Sequence, residues 1–349
     1  IRFYHIGPKC NFAILVVVFE PDEGFLQKYL RLMNEIKFPS GALWALLGAL
    51  IFSINDMLVK FLSDDYALHQ IVFTRSLISV LLLLLVVIPL AGGYALLHTR
   101  RLKLHLVRAF FVVGANLFFF TALADLPLAT VVSIFFIAPF LITIFSVTFL
   151  GEVVGVWRWF AVIVGLIGVM LVVRPGTEAF TFTAVLPVLS AICYASFHVL
   201  TRKLGVDENL LTLTFYVPVV FLIVATVIGL AVGHGDFSGG GHPSLEFLVR
   251  PWRWPTWLDL GVMVFIGVGI TIGGAAISQA YRVAEAALVA PFEYTALIYA
   301  TLFGYLIFSE LPDNFGWAGM SLVLVSGLVM VWREAVNARP RVAPLNSPR

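Results

Sequence analysis

Two stretches decide the fold: residues 129–152, ATVVSIFFIAPFLITIFSVTFLGE, and residues 287–310, ALVAPFEYTALIYATLFGYLIFSE. Each is predominantly apolar over the roughly 20 residues with which a helix crosses a bilayer, and each closes on a glutamate. Ala129 precedes Glu152 by 23 residues, and Ala287 precedes Glu310 by the same 23. Seven residues after each glutamate stands a tryptophan, Trp159 or Trp317, and each unit ends on an arginine, Arg174 or Arg333. One such coincidence is weak. Matched Ala, Glu, Trp and Arg at almost constant offset read as an internal duplication.

The whole chain carries the same signature. Of its 349 residues 60% are hydrophobic and 12% charged, with a mean hydropathy of +0.99. A soluble domain is typically about 25% charged. Half that charge cannot clothe a water-facing surface, which excludes an ordinary soluble enzyme, a nucleic-acid-binding domain and a disordered chain, and leaves lipid as the solvent. The net charge of +2 says nothing of partners, and Cys10 and Cys193 form neither a disulfide framework nor a metal pattern.

Ten apolar stretches are expected to span: 43–62, 68–90, 106–124, 128–149, 157–174, 181–201, 210–232, 257–280, 285–308 and 314–332. Between them lie turn residues and charges, such as Ser63-Asp64-Asp65, Arg174-Pro175-Gly176 and Leu311-Pro312-Asp313. Their length, with no strand-like alternation, argues an all-α polytopic membrane protein and not a barrel. Each half holds five spans, an odd number, so the halves are expected to be inverted repeats, 43–174 and 181–332. Such repeats place a substrate site between halves near the bilayer midplane in secondary transporters. With the N-terminus cytoplasmic, 17 of the 22 Lys and Arg side chains fall on the inner side, Arg100, Arg101, Lys103 and Arg108 among them. The positive-inside rule then puts both termini, including tail 333–349, in the cytoplasm. Residues 1–42 read as a cytoplasmic tail. Its Phe12–Phe19 run is too short to span and no cleavage site follows it, and the natural start is expected at Met33.

Ten spans in two five-span halves, each closing with a Glu-containing unit (Phe149-Leu150-Gly151-Glu152 and Ile307-Phe308-Ser309-Glu310) followed by an apolar, Gly-rich stretch, resemble the drug/metabolite transporter superfamily, EamA type. Asn55, Asp56 and Lys60 in the first span, Arg75 in the second and Ala290-Pro291-Phe292-Glu293-Tyr294 in the ninth resemble the branch of S-adenosylmethionine uptake carriers. The resemblance implies a cofactor-free carrier of small organic solutes, proton-linked or exchanging, in a bacterial inner membrane. S-adenosylmethionine or an amino-acid-like solute is the first substrate class. A riboflavin-like vitamin or a drug is the alternative, and a membrane-embedded lipid-modifying enzyme or scaffold is the rival from another class. The partners are then a small molecule and the lipid bilayer, with no nucleic acid and with room for a homodimer.

A charge in hydrocarbon costs several kcal/mol, so each one here needs a reason. Asp56 and Lys60 share a helix face beside Asn55. They read either as a polar patch in the pathway or as a salt bridge fastening the first span to the second, at Arg75. Glu293, next to Pro291 and Tyr294, reads as a proton-coupling or cation-recognising carboxylate, or as the partner of Arg282 or Arg75. Glu152 and Glu310 read as helix caps. Tyr194 and His198 share a face of the sixth span, while Asn116 and Gln279 are neutral hydrogen-bonders that contact substrate or join helices. Gly165, Gly168, Gly269 and Gly273 suit close helix packing, and Pro139, Pro187 and Pro218 suit kinks. No HExxH, CxxC, GxGxxG or GxxxxGK[ST] motif occurs, so nothing points to an enzyme, a metal, a cofactor or an ATP-driven pump.

Overall fold

With no water in a bilayer core to take up backbone N–H and C=O groups, the long apolar segments satisfy them within helices. The computed structural model describes residues 40–151, 155–176, 181–204, 208, 210–239, 241–283 and 292–337, and every regular element among them is helical. In chain order these are α1 (Ser40–Leu62), α2 (Leu68–Leu82), α3 (Leu102–Leu123), α4 (Leu128–Phe135), α5 (Ala138–Leu150), α6 (Val156–Val173), α7 (Val185–Leu204), α8 (Leu210–Val232), α9 (Pro243–Val249), α10 (Trp257–Val283), α11 (Thr295–Phe308) and α12 (Asn314–Asn337). Helix α2 runs on through a π-helical turn, Leu83–Val87, into Ile88–Ala91. The expectations for Met33 and Phe12–Phe19, for Glu152, Ala290 and Pro291, and for the side chain of Arg282 lie outside the described residues.

Seven described segments are long and apolar enough to cross a membrane: Gly41–Leu62, Leu68–Ala91, Leu102–Leu123, Leu128–Leu150, Phe182–Thr201, Leu211–Val232 and Trp257–Ile277. Three shorter apolar helices, Trp159–Val173, Thr295–Phe308 and Asn314–Val329, fall where the fifth, ninth and tenth spans are expected. Tryptophans stand bare near span ends, Trp254 and Trp257 at the start of α10 and Trp157 and Trp159 at the start of α6, as suits an aromatic belt.

The expected fourth span is not one continuous helix. It breaks between α4 and α5 at Phe136 and Ile137, because Pro139 opens α5 and has no N–H for the preceding turn. Pro218 does not break α8. The chain leaves α5 at Gly151 and α11 at Ser309, both left-handed, with φ of 70° and 56°. At Ser309 the end is a paired cap: Ser309 N–H donates to Tyr305 O and Glu310 N–H to Gly304 O, at 3.2 and 2.9 Å.

Helix pairing runs mainly between the two halves of the chain. Helix α1 packs on α10 and α11, α2 on α8 and α10, α3 on α7 and α8, α4 and α5 on α7, and α6 on α12. The main apolar core lies at these crossings, around Leu62, Ile71, Leu123, Leu128, Phe247 and Ile266. Where α6 meets α12, Gly168 and Gly319 face each other so closely that a Cβ on either one would press into the other's carbonyl oxygen.

Candidate functional site

The first polar group is built by three helices. Asn55 and Asp56 come from α1, Arg75 from α2 and Asn116 from α3. Arg75, 3% exposed, donates from Nη2 to Asn116 Oδ1 at 2.8 Å, and its guanidinium lies over Phe120 and Phe221 at 5.1 and 5.3 Å. Asn116 donates in turn to Val112 O. Asp56 shares an electrostatic interaction with Arg75 and accepts from Asn55 Nδ2 at 3.1 Å. That leaves the Asn55 side-chain oxygen buried with no hydrogen-bond partner among the described residues. A small cavity of about 30 Å³, bounded by His69, Val72, Asn116 and Phe221 among others, adjoins this group.

The second group lies where the chain breaks its helices. Tyr294 stands at the start of α11 and stacks on Phe136 of the α4–α5 break, with ring centroids 4.9 Å apart and planes 25° apart. Glu293 acts electrostatically on both Tyr294 and Tyr194. Tyr194 packs against His198 at 4.3 Å and Phe135 at 5.1 Å. From there Phe119 and Phe120 continue at 5.2 and 5.5 Å, back to Arg75. An aromatic row therefore connects the two polar groups. The Tyr294 ring rests on Gly327 of α12, where a Cβ would overlap the phenol itself.

Eight of the expected residues thus gather in two groups along one row of rings: Asn55, Asp56, Arg75 and Asn116, then Tyr194, His198, Glu293 and Tyr294. Two do not join them. Lys60 turns away from Asp56 and Arg75: its Nζ donates to both Glu310 carboxylate oxygens, at 2.8 and 2.9 Å, and to Leu126 O at 2.8 Å. The salt bridge expected between the first and second spans instead ties α1 to the α11–α12 turn. Glu310 also accepts from Leu128 N–H at 3.2 Å, so it serves the start of α4 and does not cap α12. Asp313 caps α12, accepting from Gly316 N–H at 2.9 Å. Gln279 is half-buried next to Ala280, and among the described residues no hydrogen bond joins it to either polar group.

One residue was hidden from sequence reasoning. Arg108 counts among the inner-loop charges when the third span is taken to begin at 106, but α3 begins at Leu102 and buries Arg108 to 2% exposure. The available signal was its context: Leu106-Val107 before it and Ala109-Phe110-Phe111-Val112-Val113 after it are apolar on both sides.

Comparison with known proteins identifies the family. The model of the EamA-like transporter family matches residues 39–174. A pseudopaline exporter of Pseudomonas aeruginosa is 30% identical over 294 residues, 83% of this chain and 95% of its own. The chain belongs to the EamA-like transporter family. Two further relatives are a riboflavin transporter of Vibrio cholerae, 27% identical over 86% of this chain and 96% of that one, and an S-adenosylmethionine uptake transporter of Rickettsia bellii, 25% identical over 83% and 93%. A solved crystal structure shares the fold with a TM-score of 0.57 at 16% identity, covering 86% of this chain and 99% of that one. The protein is a multi-pass membrane transporter of a small organic solute.

Proposed function

We propose that this member of the family has ten spans in two inverted five-span halves, residues 43–174 and 181–332, with both termini cytoplasmic in a bacterial inner membrane. It moves its solute by alternating access past the two polar groups. The observation that carries this reading is the Phe136–Tyr294 stack. The two residues are 158 apart, the same offset that relates Ala129 to Ala287 and Glu152 to Glu310. Residues at equivalent positions of two repeats touch each other only near a two-fold axis. Both stand at a helix break, and discontinuous helices at a repeat interface are where transporters of this design hold substrate. The left-handed Gly151 and Ser309 are also 158 apart. The helix pairings follow the same operator: α1 on α10 mirrors α7 on α3, α2 on α10 mirrors α8 on α3, and α6 meets α12 as its own counterpart.

Glu293 is assigned the coupling role or recognition of a cationic group, with Asp56 and Asn55 as a second cation-facing pair and Arg75 as their balance. Charge of both signs beside aromatic faces fits S-adenosylmethionine or an amino-acid-like solute. The unbroken row of rings favours a second reading, a flat riboflavin-like vitamin. Counterflow in proteoliposomes decides between them, with labelled S-adenosylmethionine, amino acids and riboflavin run on the wild type and on Glu293→Gln. The expected result is one solute class exchanged by the wild type, with an altered pH profile in the variant. Normal transport by Glu293→Gln at every pH refutes its role, and no exchange of any solute refutes the carrier reading. A single cysteine at position 100 should label only from the inner side; labelling from outside refutes the topology.

A further inference from the structure

Arg108 is a buried cation whose hydrogen-bond partners among the described residues are all neutral. Its Nη1 donates to Thr201 Oγ1 at 3.2 Å and its Nη2 to Leu213 O at 2.5 Å, while Nε is buried with no hydrogen-bond partner. Among the described residues, Glu208 is engaged elsewhere: it accepts from Thr99 Oγ1 at 2.9 Å and stands 3.5 Å from His105 Nε2. A charge in low dielectric without a counter-ion costs several kcal/mol, and proteins retain such groups where a ligand completes them.

A second unfilled donor or acceptor stands on the facing helix. His198 Nε2 is buried without a partner, and His198 interacts electrostatically with Arg108. Phe197 links the two, lying under the Arg108 guanidinium at 4.9 Å and against the His198 ring at 5.1 Å. Through Tyr194, His198 also joins the row of rings that begins over Arg75.

We propose that Arg108 and His198 form a binding subsite for an anionic group, a carboxylate or phosphate, of the transported solute. This rests on the transport reading above and narrows it: the cargo carries a negative group as well as whatever Glu293 and Asp56 recognise. Guanidinium and imidazole on one side of an aromatic wall suit a planar carboxylate or a phosphate oxygen pair. Arg108 is 2% exposed, held between α7 and α8 and away from any lipid-facing surface, which favours a solute over the headgroup of an anionic lipid.

The test is binding, independent of transport. The full chain is placed in nanodiscs of phosphatidylcholine, and its thermal midpoint is followed against acetate and inorganic phosphate at constant ionic strength. A saturable rise is expected in the wild type and in the exposed-lysine control Lys103→Gln. His198→Gln and Arg108→Gln should each weaken apparent affinity roughly tenfold or more, the scale of one charge-assisted hydrogen bond. Arg108→Lys, which keeps the buried charge, should fall between, and with His198→Gln it carries the comparison should Arg108→Gln fail to fold. No saturable effect in the wild type overturns the proposal, as does an effect that survives both His198→Gln and the Arg108 variants. Stabilisation by phosphatidylglycerol but by neither soluble anion overturns the solute assignment in favour of a lipid. An Arg108-dependent anion effect in a chain that exchanges no solute leaves the subsite standing and removes the transport reading instead.

Discussion

Removing the charge of Glu310 tests how the two halves are held together at the end that carries Lys60. Glu310→Gln keeps the shape of the side chain but leaves the Lys60 ammonium with one neutral carbonyl, Leu126 O, and an amide in place of two carboxylate contacts. Breaking a fully buried pair by losing one partner costs about 3–5 kcal/mol, and an exposed pair is worth about 0–1 kcal/mol. Lys60 is 10% exposed and Glu310 28%, so the expected loss lies between, about 2 kcal/mol. Lys60→Met removes the cation itself, and in the double variant Lys60→Met/Glu310→Gln no orphaned charge remains. Reversible unfolding of all four proteins in matched detergent micelles should therefore show a coupling of about 1–2 kcal/mol, the double variant being more stable than the two single losses predict. Additivity within about 0.5 kcal/mol refutes the argument that this pair joins the halves.

Three further outcomes follow from the geometry. Gly327→Ala places a methyl group where the Tyr294 ring lies, so the ring must leave its stack on Phe136; a loss of about 1–3 kcal/mol and a raised KM for the carried solute are expected, and unchanged solute affinity refutes the placement of Tyr294 at the site. Ser309 holds φ 56°, a conformation that costs an L-residue about 1–2 kcal/mol, so Ser309→Gly should raise the thermal midpoint, while Gly151→Ser should lower it. The Asp313 carboxyl is held below its usual value, first by the Arg174 guanidinium and then by Gly316 N–H. A depressed acid stabilises the fold above its unfolded value of about 4 and loses that contribution as pH falls further, so melting between about pH 5 and 2 should be steeper for wild type than for Asp313→Asn.

The fold was legible because lipid forces a coarse signal: a long apolar run has almost no alternative to a helix. The breaks were harder. Pro139 marked the α4–α5 interruption, but a proline inside a helix has two outcomes, as the intact α8 around Pro218 shows. Candidate site residues stand out in the sequence where a charge is alone in a greasy segment, as Asp56, Arg75 and Glu293 are. Partners were not, because they come from distant segments. Lys60 lies four residues from Asp56, yet its carboxylate is 250 residues away. Arg108 was missed for a similar reason: the same residue is a loop anchor or a buried cation according to a four-residue difference in where α3 begins.

The stacked pair at the helix breaks has one further consequence. Under the inverted-repeat reading, a molecule with two identical halves would oppose Phe to Phe or Tyr to Tyr there, and its inward and outward faces would be chemically indistinguishable. The single phenolic oxygen of Tyr294, with Glu293 beside it, is then a place where the copies have drifted apart. Such divergence lets a doubled ancestor hold its cargo with different affinity on its two faces, while the gradients across the membrane set the net direction of travel.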